Sequence, residues 1–278
     1  MSNTLILGAN GTVGTEIVRL LNEKNIPLKK ATSQKKLDKD QVYLNLVTRE
    51  GLDSALNGIN RLFLLSPPGH VNQDELLIPV IDQAKKSGVQ KIVLMTAMGA
   101  NAVETAPFRK VEIYLEKSGI AFNIIRPNWF MQNFNSYWIE GILKKGLIQM
   151  PVGHAKASFI DSRDIAAVAA ELLQTDKFNN QDFDLTGSEA IDHNQVAHIL
   201  TEISGRKISY QEILPQEMFQ NLINAGLPKP YSEFMLMILE FFKLGYAERT
   251  TDAVEKITGR KPFTFSQYAK DYKSAWIS

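Results

Sequence analysis

Residues 4–21 read Thr4-Leu5-Ile6-Leu7-Gly8-Ala9-Asn10-Gly11-Thr12-Val13-Gly14-Thr15-Glu16-Ile17-Val18-Arg19-Leu20-Leu21. The opening run is apolar or β-branched and forms a buried strand that glycine ends. From Thr12 onward Val13, Ile17, Leu20 and Leu21 recur on one face at helical spacing. Three glycines join the two. Gly8 permits a tight turn off the strand, Gly11 lets a ligand come close to the backbone, and Gly14 lets the helix pack on the strand. The amino end of the helix offers unpaired N–H groups and partial positive charge, which suit the pyrophosphate of a nicotinamide dinucleotide. The whole turn, Gly8, Ala9, Asn10, Gly11, Thr12, Val13 and Gly14, is therefore a candidate phosphate cradle. Its spacing is GxxGxxG rather than the GxGxxG of the dehydrogenase fingerprint. Three glycines can also be plain turn chemistry, but here a strand precedes them and a helix follows.

The pattern continues outward from this unit. Further strands are expected at residues 27–32, 41–46, 60–65, 91–96 and 121–126, with helices at 73–87 and 111–117 between the later ones. Strands alternating with helices imply right-handed crossovers and a parallel sheet covered on both faces. The fold expected is α/β, a doubly wound parallel sheet of the Rossmann type, with ligands at the carboxyl ends of its strands. After Trp129 the rhythm changes. Short strands are expected at 157–160 and 183–185, and helices at 161–173, 194–204, 215–225 and 231–244. This reads as a Rossmann domain over residues 1–188, with 129–157 contributing to a cleft, and a smaller C-terminal α+β lobe over 189–278.

Composition narrows the function classes. A net charge of +1 gives no electrostatic reason to bind nucleic acid directly or an anionic membrane. The chain has no cysteine, which excludes disulfides, thiolate zinc and a cysteine nucleophile, and fits a reducing cytoplasm. His70, His154, His193 and His198 are scattered, so no metal site is expected. No apolar run approaches a membrane span, and residues 234–244 carry Glu240 and Lys243. A soluble cytoplasmic monomer or homodimer is expected.

The second strand decides which dinucleotide fits. An Asp or Glu near its end would accept the ribose hydroxyls of NAD. Here the residues are Ala31-Thr32-Ser33-Gln34-Lys35-Lys36, with no acid before Asp38. Ser33, Lys35 and Lys36 can hold a 2′-phosphate instead, which favours NADP (as NADPH) while leaving NAD possible. The alternative is that the lysines form a solvated face. Thr96, after the fifth strand, can turn its hydroxyl to the cofactor or cap the strand locally.

Beyond the glycine turn, the chain resembles the NmrA-like branch of the atypical short-chain dehydrogenases. The resemblance lies in Leu64-Leu65-Ser66-Pro67-Pro68-Gly69, in residues 91–99, in residues 118–133 with Arg126-Pro127-Asn128-Trp129-Phe130, in residues 158–166, and in Asp184-Leu185-Thr186-Gly187. It runs from about residue 3 to about residue 210, and more weakly to the end. It implies that Leu65, Ser66 and Pro67 line the path from adenosine to nicotinamide, and that Pro127, Asn128 and Trp129 lie beside the nicotinamide. Short-chain dehydrogenases usually carry Tyr-x-x-x-Lys, the Tyr giving a proton and the Lys lowering its pKa. Aligned on Glu112, this chain has Glu104 and Phe108 there, while Tyr114 is expected to pack.

Two function classes follow. One is an NAD(P)H-dependent oxidoreductase, quinone reductase-like, for a small, flat, apolar acceptor such as a quinone or enone. Trp129, Phe130 and Tyr137 would then be walls for the acceptor ring, although aromatic clusters also fill cores. The other is a non-catalytic NADP-binding sensor acting through a protein partner. An isomerase or reductase for a specialised metabolite is a third possibility within the same branch.

Overall fold

The computed structural model describes residues 3–277. In chain order its elements are β1 (Thr4–Ile6), α1 (Thr12–Glu23), β2 (Leu28–Thr32), β3 (Gln41–Tyr43), α2 (Leu52–Leu56), β4 (Arg61–Leu65), α3 (Gln73–Lys86), β5 (Lys91–Met95), α4 (Pro107–Lys117) and β6 (Ala121–Pro127). There follow α5 (Ile139–Lys145), β7 (Leu147–Met150), α6 (Ser162–Leu172), β8 (Gln181–Leu185), α7 (His193–Ser204), β9 (Ser209–Glu212), α8 (Pro215–Asn224), α9 (Lys229–Lys243), α10 (Ala253–Thr258), α11 (Phe265–Asp271) and α12 (Lys273–Ile277).

The chain forms two compact units. The first comprises Met1–Pro127, Ser162–Asp184 and Lys256–Gly259, and the second comprises Asn128–Asp161, Leu185–Glu255 and Arg260–Ser278. The sequence pattern suggests one boundary near residue 188, whereas the chain passes between units five times. The physical reason is that α6 and most of β8 return to the first unit's sheet after residues 128–161 have joined the second.

In the first unit the strand order is β3-β2-β1-β4-β5-β6-β8. The pairs β1–β2, β2–β3, β1–β4, β4–β5 and β5–β6 are all parallel. Leu5 on β1, Leu62 and Leu64 on β4, and Ile92 and Leu94 on β5 pack with Leu76, Val80 and Ile81 of α3 and Val111 and Leu115 of α4. Helices α1 and α6 pack on one another, as do α3 and α4. The connections run to opposite sides of β1, so β1 and β4 become neighbours and the crevice at their carboxyl ends is the switch point where such sheets take ligands.

The second unit is built on a separate core. Met131, Phe134, Phe159, Leu200, Phe242, Phe265, Tyr268 and Trp276 are all buried together there. A two-stranded parallel sheet of β7 and β9 borders it, with Leu147 opposite Ser209. Residues 157–160, a strand by sequence pattern, form two isolated bridges instead, Phe130 to Ile160 and Ala157 to Ile191. Helix α4 begins a turn earlier than its apolar spacing suggests, because Pro107 fits the first helical turn where no N–H is needed. Pro230 likewise lies in the first turn of α9 rather than before it.

The tightest backbone approach is at the glycine turn. A Cβ on Gly14 would stand 2.1 Å from the Gly8 carbonyl oxygen. Gly14→Ala should destabilise the protein by about 3 kcal/mol or more, since neither backbone can yield without parting α1 from β1. A urea melt of the variant checks this.

Candidate dinucleotide and acceptor sites

The turn after β1 is shaped by its glycines. Gly8 has φ +64°, in the left-handed region. Gly11 N donates to Gly8 O at 2.8 Å and closes the turn. Gly11 then stands at the N-cap of α1 with no side chain capping the helix and no acid in its first turn. Gly8, Asn10, Gly11 and Thr12 are exposed, while Ala9, Val13 and Gly14 are buried. The arrangement leaves helix-end N–H groups facing outward over a Cα without a side chain, which is the surface a pyrophosphate requires. The residues present therefore fit the dinucleotide that the sequence implies.

The loop after β4 borders this turn. Leu7 N donates to Phe63 O, and a Cβ on Gly8 would meet the Leu65 side chain at 3.1 Å. Leu65, Ser66 and Pro67 are half-buried, and the Ser66 hydroxyl turns back to Pro67 O at 3.2 Å. Past β2, Ser33, Lys35 and Lys36 are exposed. Of the two acids that follow them, Asp38 and Asp40, the second pairs with Lys30 at 2.8 Å. That bond to Lys30 holds the Asp40 carboxyl below its usual pKa.

At the carboxyl ends of β5 and β6 the structure shows a network that sequence reasoning missed. Glu112, fully buried on α4, accepts from Thr96 Oγ1 at 2.8 Å. Arg126 of β6 binds both its oxygens, Nε to Oε1 at 2.8 Å and Nη2 to Oε2 at 2.9 Å. Arg109 adds a third cationic contact at 3.0 Å, and Asp182 bonds the far side of Arg126. Burial alone would lower the Arg126 pKa, but the carboxylates outweigh it and raise the value above normal. The Thr96 hydroxyl is thus tied to α4 rather than to its own strand. Glu104 lies in the turn before α4, exposed, and Phe108 packs against the first core. Tyr114, expected to pack, is 37% exposed and bonds Asp82 of α3 instead. One signal was available in the sequence: Arg126 is a charged residue directly after the apolar pair Ile124-Ile125 of the strand.

Pro127 ends β6, and its carbonyl accepts from Met98 N at 3.0 Å. The second unit starts at Asn128, whose amide donates to Ser158 Oγ at 2.7 Å and Ala247 O at 2.8 Å. Its Oδ1 accepts from Trp129 N. Asn128 is buried and its side chain is spent on this anchor. Trp129 and Phe130 are half-buried, and Tyr137 is 78% exposed. Trp129 stacks with Trp138 at 6.5 Å and meets Phe242 edge-on at 5.4 Å.

His193, read from sequence as one of four scattered histidines, is fully buried in this second core. Burial pushes its pKa down to about 4, with Asp192 pulling weakly the other way. Among the described residues no group of His, Cys, Asp or Glu is placed to hold a metal, and no helix is long and apolar enough to cross a membrane.

Comparison with known proteins extends these observations. A model of the NmrA-like family matches residues 1–269. An NAD(P)H azoreductase from Xenophilus azovorans is 32% identical over 98% of this chain and 98% of its own. Among solved structures, the NADPH-dependent quinone oxidoreductase of Escherichia coli in complex with NADPH superposes with a TM-score of 0.84 at 22% identity, covering 97% of this chain and 99% of that one. A negative transcriptional regulator, NmrA, in complex with NAD, matches with a TM-score of 0.78 at 14% identity over 98% of this chain and 95% of that one.

Two stability measurements follow. Glu112→Leu leaves Arg126 buried with only Asp182 and Asp184 near it, and should cost about 3 kcal/mol. Adding Arg126→Leu should restore much of the loss in denaturant melts. For His193 the folded value of about 4 lies below the unfolded value of about 6.5. Its contribution is therefore complete above pH ~6.5 and lost as pH falls toward 4, about 3 kcal/mol in all at ~1.4 kcal/mol per unit. His193→Phe should flatten that part of the stability–pH curve.

Proposed function

Since the chain belongs to the NmrA-like family, we propose that it is an NAD(P)H-dependent reductase for a small, flat, conjugated acceptor such as a quinone or enone. When bound, the dinucleotide supplies the hydride. Residues Gly8 to Gly14 hold its pyrophosphate. Ser33, Lys35 and Lys36 take the 2′-phosphate, so NADPH is preferred over NADH. Leu65, Ser66, Pro67, Thr96 and Pro127 line the rest of its path, and Trp129 and Phe130 present flat faces to the acceptor with Tyr137 at the rim.

The observation that carries the acceptor class is the fate of α4. The buried carboxylate on that helix, Glu112, is spent on Arg126, Arg109 and Thr96. By the alignment on Glu112, Glu104 and Phe108 stand where short-chain dehydrogenases usually carry Tyr and Lys. The protein is therefore suited to an acceptor whose reduced atoms draw protons from water, and its work is binding and orientation. Quinones fit that requirement, as do the azo compounds implied by the name of the 32%-identical relative.

NADPH oxidation with a panel of benzo- and naphthoquinones should be steady and enzyme-dependent. Tight NADPH binding without turnover of any acceptor would contradict the reading and favour a dinucleotide sensor. Lys35→Glu should weaken NADPH binding about tenfold, the size of one charge-assisted contact, and leave NADH binding nearly unchanged. Equal losses for both dinucleotides would remove Lys35 from the 2′-phosphate site.

A further inference from the structure

The second unit contains a polar group whose bonding is unfinished. His193 opens α7 behind Asp192, whose carboxylate caps the helix by accepting from Gln195 N at 2.8 Å. The imidazole is fully buried, and neither ring nitrogen has a hydrogen-bond partner. Aromatic rings surround it. Tyr210 stacks at 5.2 Å, Phe242 lies at 5.6 Å, Phe159 at 5.7 Å, Phe134 at 5.9 Å and Trp138 at 6.0 Å. The Tyr210 hydroxyl does not serve the imidazole, because it donates to Met150 O at 2.9 Å.

A neutral imidazole carries one N–H donor and one lone pair. Leaving both unmade in a core lowers stability, whereas Phe or Leu would fill the same space without that loss. A buried polar group that breaks this rule marks a place where something else completes its bonds. The rings differ in one respect. Phe134, Phe159 and Phe242 are buried, while Trp138 is half-buried and stacks on half-buried Trp129. Tyr210 is half-buried as well, so the ring wall meets solvent at Trp138 and at Tyr210, and at Trp138 a second ring, Trp129, extends the flat face.

We infer that His193 is the polar anchor of an acceptor subsite in the second unit. A flat aromatic ligand lies along the Trp129–Trp138 pair and sets a neutral carbonyl oxygen or azo nitrogen on the His193 N–H. The inference rests on the reductase reading for the nature of the ligand. The ring wall supplies area and the imidazole supplies direction, as apolar pockets with one placed polar group do. The rings provide no cation or carboxylate, so the buried end of the ligand is uncharged.

The test is calorimetric titration of anthraquinone-2-sulfonate and anthracene-2-sulfonate, which share a skeleton and differ in the two carbonyls. The native protein should bind the quinone about tenfold more tightly, the size of one hydrogen bond in a dry site. His193→Phe should raise Tm, keep the affinity for anthracene-2-sulfonate, and abolish the preference for the quinone. His193→Gln, which keeps a donor on a side chain of similar reach, should retain part of it. If His193→Phe keeps the full preference, or if the native protein has none, the inference is overturned. A crystal structure with the bound quinone that shows the imidazole bonded to an ordered water would overturn it equally. Failure of the reductase reading would look different: the preference would be present and depend on His193, with no NADPH oxidation by any quinone.

Discussion

The first unit depends on one contact, the approach of α1 to the Gly8 carbonyl that the missing side chain of Gly14 allows. Because the helix lies this close to the end of β1, its amino end faces the crevice at the sheet's switch point instead of being carried outward by a longer loop. The left-handed turn at Gly8 and the bare Cα of Gly11 matter only once that approach is made. Leu65 then closes against the same turn from β4, so two neighbouring strand ends present one continuous surface. The proposed phosphate cradle is in this sense a by-product of close packing.

A second constraint holds the other side of the carboxyl edge. Glu112 and Arg126 meet in the interior, and Thr96, Arg109 and Asp182 complete their bonding. The network ties α4 to the ends of β5 and β6. It also uses up the groups that could have served as acid or base there. In the reading proposed for the reductase, the arrangement that fixes the scaffold leaves this edge to hold and orient reactants.

The first unit is readable from sequence because its strands and helices carry different periods and because glycine punctuates them. Even β2, with Lys29 and Lys30 in a row, is recognisable from its place in the alternation. The second unit is less so. Strands β7 and β9 have four residues each, too few to show a period, and they pair with one another rather than with the main sheet. Residues 157–160 look like a strand by composition, yet their backbone groups go to single bridges and, at Ser158, to Ala247 O and Gly187 N. The Glu112–Arg126 pair spans 14 residues and two elements, a distance that no local pattern reports. Burial of His193 is equally hidden, since the first residue of a helix is ordinarily open to solvent. The glycine turn, the lysines past β2 and the aromatics after Pro127 stand out in the sequence by spacing and residue type alone. Those local signals do not reach the long-range bonds on which Thr96 and Asn128 are spent.

Gly11 offers the most direct trial of the claim that this turn holds a dinucleotide. In the protein alone a Cβ at Gly11 would stand 3.2 Å from the Gly8 carbonyl oxygen, a tight contact relieved by a shift of a few tenths of an ångström, so Gly11→Ala should fold with a modestly lowered Tm. A methyl group there would nevertheless stand where the proposed site puts the pyrophosphate. Titration of this variant with NADPH, at a temperature where it is fully folded, should show affinity reduced by about thirtyfold or more, roughly 2 kcal/mol. Native affinity in a folded Gly11→Ala variant would contradict the account.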